Sequence, residues 1–468
     1  MSVIVLLADG VRVDTLANAI ESGAFPALAR LQAEGGLHEV TSAFPSVTGP
    51  AYAPFLMGRF PGSVGLPGLR WFDRSRAACS FPDYTRSYVG YQMRALDGDL
   101  DPDVSTIFEL VPDSVAALSV ITRGLPRRRQ LVALNARSAF RAARTHFRGD
   151  VNGWLNVDRE VSAGVVRRVR EDDAPFVFAA LIGIDKASHA SGHNSESVLE
   201  ALHIVDDTVA SLRHDLEQRG AWETTHLWVT SDHGHSRVRH HEDLARVIAS
   251  AGHRVIAHPW VYRLNADVAV MVSGNAMAHV YVDLEQRERR FWRGMSEPGR
   301  ELAEQLVQRA SVDLLLIPID AEHCAVWSSD RGRATITRSG DRFSYVMSDG
   351  DPLGIGRDLH QVSSCVAHDA TLRTDYPDAV VQIARLAGAD RVGDMILSAA
   401  RDWDFRARYE PIPHVSSHGA LHRDHMMVPL LLNRPAARTP RRTVDVMPSA
   451  LAALGQSIPS GLDGESFV

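Results

Sequence analysis

The chain has 468 residues, of which 45% are hydrophobic and 23% charged, and a formal net charge of −7. That length exceeds one ordinary core and predicts two domains, or one large domain carrying an insertion. The acidic balance argues against a nucleic-acid polymer as partner, which needs a basic face, and no apolar run is long enough to span a bilayer.

In chain order, Val3–Ala8 is a continuous apolar strand. The opening MSVIVLLADG lacks a basic n-region and a small-residue cleavage site. Cys79, Cys324 and Cys365 are unclustered, so the expected setting is a reduced cytoplasm without a disulfide framework. A polar loop and a helix near Ala24–Glu34 follow, then a short strand at Leu37–Thr41. Between Ser114 and Gly149 there is no Asp or Glu, but Arg123, Arg127, Arg128, Arg129, Arg137, Arg141, Arg144 and Arg148. The segment reads as a solvated excursion, or alternatively as a patch for anionic substrates or a membrane surface. Pro175–Ile184 and Thr225–Thr230 are further buried strands, separated by helical spacing over Ser195–Arg219. Continuous apolar strands alternating with helices predict a three-layer α/β/α core around a mostly parallel sheet.

From 255 to 365 the texture changes to short β-like segments (278–284, 312–318, 333–338) with a polar helix near Pro298–Arg309. We read residues 255–365 as a smaller inserted α+β cap domain, with residues 1–254 and 366–468 forming the two parts of the catalytic core. The core resumes with a strand at Val428–Leu432 and a final helix near Val444–Leu454.

Three aspartates, Asp9, Asp185 and Asp232, each follow a predicted strand, where open α/β sheets place their sites. The Asp185-x-x-x-His189 spacing lets a carboxylate and an imidazole converge on one ion, although a polar loop often contains both. Asp232-His233-Gly234 is more specific, because a glycine after adjacent ligands permits a tight turn that crowds an ion. His418, within Ser-His-Gly, is non-specific alone, and His235, His240 and His241 are alternative ligands. Thr48 is the candidate nucleophile, with Pro50 suited to the first turn of a helix whose N–H groups favour a phosphoryl anion. Thr48 as a plain N-cap and Ser46 as nucleophile are the competing readings.

The ordered set Asp9, Thr48, Asp185, His189, Asp232, His233 and His418 resembles the alkaline phosphatase superfamily. Within it, the register Thr48, Pro50, Gly58, Pro61 and Gly65 is most similar to the nucleotide pyrophosphatase/phosphodiesterase branch. The resemblance implies that Asp9, Thr48, Asp232 and His233 hold one divalent metal ion and Asp185, His189 and His418 a second. Mixed N/O ligands suit zinc, with manganese as the rival. It also implies hydrolysis of a small-molecule phosphate ester, at a phosphodiester or pyrophosphate bond, through a covalent phospho-threonine on Thr48. The charges balance: two divalent cations meet three carboxylates and a Thr48 alkoxide. Gly49 is expected to offer its N–H to a phosphoryl oxygen, and His193 either faces the substrate or is a solvated loop histidine. Arg70, Trp71 and Phe72 either line the entrance or form a plain hydrophobic edge.

Two departures matter. The branch commonly carries an asparagine three residues after the nucleophile, where this chain has Ala51, and the cysteine or serine followed by x-Pro-x-Arg of sulfatases is absent. Phosphomonoester or phosphonate hydrolysis is the alternative within the superfamily. A phosphosugar-acid mutase, which normally uses serine, and a non-catalytic phosphate-binding protein rank below it.

Overall fold

The computed structural model describes residues 1–76, 84–132, 136–289, 291–406 and 414–468. Cys79 and the side chains of Arg137 and Arg141 lie outside the described residues. Seven strands form the central sheet: β1 (Ser2–Ala8), β2 (Leu37–Thr41), β3 (Val115–Ala117), β4 (Gln130–Leu131), β5 (Phe176–Leu181), β6 (Thr225–Thr230) and β7 (Met427–Leu432). Their spatial order is β2-β7-β6-β1-β5-β3-β4. β1 runs parallel to both β5 and β6, and β3 parallel to β4 and β5. Only β7 is antiparallel to its neighbours β2 and β6. The expected mostly parallel sheet is therefore present.

Alternation along β1 decides the layers. Ile4, Leu6 and Ala8 pack with α1 (Val13–Glu21), α2 (Pro26–Gly35), α3 (Val151–Glu171), α4 (Gly183–Ser191) and α5 (Glu196–Gln218). Val3, Val5 and Leu7 point to the other face, against Tyr52, Phe55, Met57 and the C-terminal helix Val446–Ala453. Both faces of a parallel sheet are thus covered, which is why its strands read as unbroken apolar runs. α1 occupies part of what the sequence suggested was a polar loop. Its Leu16, Ala19 and Ile20 are buried at three- and four-residue spacing among polar neighbours, a stripe too short to stand out.

A second, nine-stranded sheet takes its strands from Val255–Ala257 to Leu359–Ser363 and adds Met395–Ala399 near its middle. All its pairings but one are antiparallel. The helix Glu297–Val307 starts at Ser296, whose side chain accepts from Gly299 N–H. In the arginine-rich segment Arg129 pairs with Asp113 and Asp172, Arg123 donates to Glu109 and the Asp101 carbonyl, and Arg127 and Arg128 are exposed.

One buried carboxylate fixes the turn that matters most. Asp158 on α3 accepts from Ile182 N–H at 2.9 Å and Gly183 N–H at 2.7 Å, holding the first turn of α4 against the end of β5. Burial pushes its carboxyl up to about 7, with the two N–H groups acting in the opposite direction. Replacing Asp158 by alanine strands two buried donors, so Asp158→Ala is expected to cost about 2 kcal/mol in chemical denaturation. An unchanged midpoint would show that water satisfies both groups.

Candidate metal centre

Five chain segments meet at one end of the central sheet. β1 ends at Ala8, and Asp9 follows, its N–H donating to Leu181 O at 3.0 Å across to β5. Gly10 has φ +80, and a Cβ there would lie 2.9 Å from His235 Nε2, so only glycine lets that ring approach. β6 ends at Thr230, and the turn Ser231–Gly234 is held by Ser231 Oγ donating to the His233 carbonyl at 2.8 Å. Ser42 Oγ donates to the Asp232 carbonyl. A Cβ at Gly234 would collide with the Asp424 carbonyl, so the crowding that requires this glycine comes from backbone.

Asp185 and His189 lie four residues apart on α4, a helix rather than a polar loop. A helix puts positions i and i+4 on one face, and His189 Nε2 is 3.2 Å from Asp185 Oδ1. His418 follows the short strand Ser416–Ser417, which pairs with Ser236–His241 and so joins the last segment to the β6 turn. Thr48 precedes a 3-10 turn (Pro50–Tyr52) that leads into the helix Ala53–Met57. Ala51 N–H donates to Val47 O and Tyr52 N–H to Gly49 O, so these donors are already used rather than free for an anion. Gly49 itself has φ +99.

Two groups of potential ligand atoms result, Asp9–Asp232–His233 and Asp185–His233–His235–His418, all buried. Thr48 Oγ lies 3.4 Å from both oxygens of Asp9 and 3.3 Å from His233 Nε2. The rings of His233 and His418 stack at 3.7 Å, and His189 sits 5.1 Å from His418. The seven residues singled out in the sequence are thereby brought together.

Whether this set fits metal ions can be judged from its protons. His189 Nδ1 donates to the Ser416 carbonyl at 2.8 Å, His418 Nδ1 to the Ser46 carbonyl at 3.0 Å, and His233 Nδ1 to the Gly234 carbonyl at 3.2 Å. A carbonyl only accepts, so in the neutral rings each Nε2 is a bare lone pair. Those lone pairs face carboxylate oxygens: His233 Nε2 is 3.4 Å from Asp9 Oδ1 and 3.6 Å from Asp232 Oδ2, and His418 Nε2 is 3.6 Å from Asp185 Oδ1. Among the described residues the buried Asp232 Oδ2 has no hydrogen-bond partner. Acceptors aimed at acceptors, with one carboxylate oxygen orphaned, suit cations between them.

The electrostatics agree. Burial, then the neighbouring Asp232 and Asp185, push the Asp9 carboxyl well above the usual range. Burial also raises Asp232, with Asp185 adding to it and His233 opposing. Burial would raise Asp185 too, but opposing influences led by the adjacent Lys186 charge outweigh it and hold the group well below its ordinary value. Burial depresses His418 strongly, keeping it neutral as a ligand must be.

The other candidates lie elsewhere. Ser46 Oγ donates to the Ala420 carbonyl at 3.1 Å, an internal backbone bond. His240 packs on Trp403 and His241 pairs with Asp404, away from both groups. The charged neighbours of His193 are Arg12, Asp14 and Asp424 rather than the metal-site carboxylates. Trp71 and Phe72 are core residues, Trp71 Nε1 donating to Tyr88 Oη and Phe72 packing on Tyr84 and Tyr281. Two residues at the centre had no role in the sequence reading. Tyr52 Oη donates to Asp9 Oδ2 at 3.4 Å, and Lys186 Nζ donates to Asp185 Oδ2 at 2.7 Å. Adjacency to Asp185 was the only available signal for Lys186.

The family described as Type I phosphodiesterase / nucleotide pyrophosphatase matches residues 3–421. The chain belongs to that family. It is a phosphoric ester hydrolase of a metal-dependent family, built on the alkaline phosphatase-like fold, and its buried Asp/His groups could bind metal. No curated protein sequence matches it. Among solved structures it is similar to phosphonoacetate hydrolase from Sinorhizobium meliloti 1021 in complex with phosphonoacetate, at 15% identity and a TM-score of 0.60, covering 97% of this chain and 96% of that one. Human ectonucleotide pyrophosphatase/phosphodiesterase 5 is similar at 14% identity and a TM-score of 0.57, covering 99% and 97%. The murine counterpart, an inactive threonine-to-alanine variant in complex with AMP, is similar at 14% identity and 0.57, covering 98% and 96%. Among the described residues no helix is long and apolar enough to cross a membrane.

Proposed function

We propose that the chain is a two-metal-dependent hydrolase of phosphodiester or pyrophosphate bonds in small molecules, acting through a covalent phospho-threonine on Thr48. The observation that carries this reading is the position of Thr48 Oγ, equidistant at 3.4 Å from both Asp9 oxygens and 3.3 Å from a bare His233 Nε2. A cation held by Asp9, Asp232 and His233 would lower the pKa of that hydroxyl and so activate it for attack. Asp185, His189 and His418 would hold the second ion. Zinc suits these N/O ligands, and manganese is the rival. When bound, the two ions supply Lewis acidity to the attacking and leaving oxygens of an in-line displacement.

The chain's own residues do the rest. Thr48 attacks phosphorus and the alcohol or phosphate leaving group departs; water then attacks the phospho-threonine and frees Thr48. The Gly49 N–H is the proposed donor to a phosphoryl oxygen, since φ +99 turns the backbone as only glycine does readily. Ala51 fills the family's asparagine position with a buried methyl, so that contact is missing. His193 is a proposed substrate contact. The similarity to an inactive threonine variant with AMP supports the nucleophile and a nucleotide-like ester.

Phosphonate hydrolysis is the second reading, favoured by similarity to the phosphonoacetate complex. A panel assay separates the two. Purified protein with zinc or manganese is expected to cleave a bis-ester and a nucleotide phenyl ester at least about tenfold faster, in kcat/KM, than p-nitrophenyl phosphate or a phosphonate. Preference for the phosphonate would replace the first reading by the second.

A further inference from the structure

Asp185 has its two oxygens held in different ways. Lys186 Nζ donates to Oδ2 at 2.7 Å. Oδ1 faces three imidazole nitrogens, His235 Nε2 at 3.0 Å, His189 Nε2 at 3.2 Å and His418 Nε2 at 3.6 Å. The three rings differ in what meets their other nitrogen. His189 and His418 each give the Nδ1 proton to a backbone carbonyl, which leaves Nε2 bare. His235 Nδ1 instead meets the Ser416 hydroxyl at 3.2 Å, and a hydroxyl can donate. His235 is therefore free to carry its proton on Nε2 and give it to Asp185 Oδ1 in a hydrogen bond.

We propose that His235 is a positioning residue: the chain Ser416 Oγ–His235–Asp185 fixes the Asp185 carboxylate toward the ion it shares with His189 and His418. This rests on the two-ion reading. Three protein ligands leave that ion an open position for substrate or water, as catalytic sites require, whereas a fourth histidine would close it. Ser416 organises both rings, its carbonyl accepting from His189 and its hydroxyl meeting His235. The two rings stand 4.8 Å apart at 83°, so they reach Asp185 from perpendicular directions. His235 is fully buried, and Gly10, beside the ligand Asp9, is the residue that makes room for it. The hydroxyl has a competing acceptor, the Ser236 carbonyl at 2.9 Å. If its single proton goes there, His235 Nε2 is bare and becomes a ligand, and the experiment must separate the two.

Stepwise zinc titration against a chromophoric competitor is the test, on the wild type, His235→Ala, His235→Gln and Ser416→Ala. His235→Ala is expected to weaken one of the two zinc ions about 10–100-fold, the range for a residue that orients a ligand. Retained affinity of the other ion is the control for folding. His235→Gln keeps an N–H donor and is expected to recover most of the loss, and Ser416→Ala to lose less than His235→Ala. In the zinc-loaded crystal structure His235 Nε2 should stay on Asp185. A zinc–Nε2 bond of about 2.0–2.1 Å would make it a ligand and overturn the proposal, as would unchanged affinities in His235→Ala. A wild type that binds no zinc or manganese would overturn the two-ion reading, and this inference with it.

Discussion

Thr48→Ala is expected to lower kcat/KM by at least about a thousandfold, because it removes the atom that attacks phosphorus while leaving the surrounding carboxylates in place. The side chain is partly buried and small, and Thr48 Oγ makes only long contacts of 3.3–3.4 Å to Asp9 and His233. The fold should therefore tolerate the change, with metal content and thermal midpoint close to the wild type. Thr48→Ser keeps the hydroxyl and is expected to recover part of the activity. Rapid quenching of a slow substrate should trap phosphate on Thr48 in the wild type and none in Thr48→Ala. Full activity in Thr48→Ala would transfer the nucleophile to water and remove the covalent step.

Chelation should have an effect of similar size. Three carboxylates, Asp9, Asp185 and Asp232, are buried within one site with lone-pair nitrogens between them. Without cations these groups repel one another, and activity is expected to fall at least about a hundredfold, returning on addition of zinc or manganese. The pH dependence has a definite sign. The Asp9 and Asp232 carboxyls are raised by burial in the folded chain, so the native state binds more protons than the unfolded chain between the ordinary carboxylate value and the raised one. Their contribution to stability is then largest in acid and is lost as pH rises through the folded values. Asp185, held low against burial chiefly by Lys186, works the other way and contributes above its unfolded value. Metal binding must displace protons from the raised pair, so stabilisation by zinc, read as the difference in melting temperature between loaded and chelated protein, should grow from acid to neutral pH. A difference that is flat or shrinks with pH would mean the ions do not bind at these carboxylates. Asp232→Asn should mimic chelation at one of the two ions, since its Oδ2 has no other partner among the described residues.

How much of this was legible beforehand differs from residue to residue. β2, β6 and the strand Val312–Pro318 stand at the bounds read from the sequence; in β6 and Val312–Pro318 a largely apolar run between polar breaks carries the signal. Asp9 and Asp232 were legible for the same reason, each standing just past such a run. α1 was not, its buried stripe being three residues among charges. The helix carrying Asp185 and His189 is not legible locally, since Gly183 and the short polar stretch IDKASH give little helical period. Asp158 holds that helix from α3, more than twenty residues upstream, and no local pattern announces such a contact.

The sequence by itself determined the chemistry on offer: the strand-end carboxylates, the histidine pairs and the threonine register are matters of residue type and order, which local rules and family resemblance can read. Only the tertiary structure decided how those groups share protons and space. It turned Ser46 away to a backbone carbonyl, put His240 and His241 outside the centre, and brought His235 onto Asp185. Those choices depend on which backbone carbonyl or hydroxyl meets each ring across more than a hundred residues of chain. Such a partner exists only once the β6 turn, α4 and the Ser416 strand have packed together.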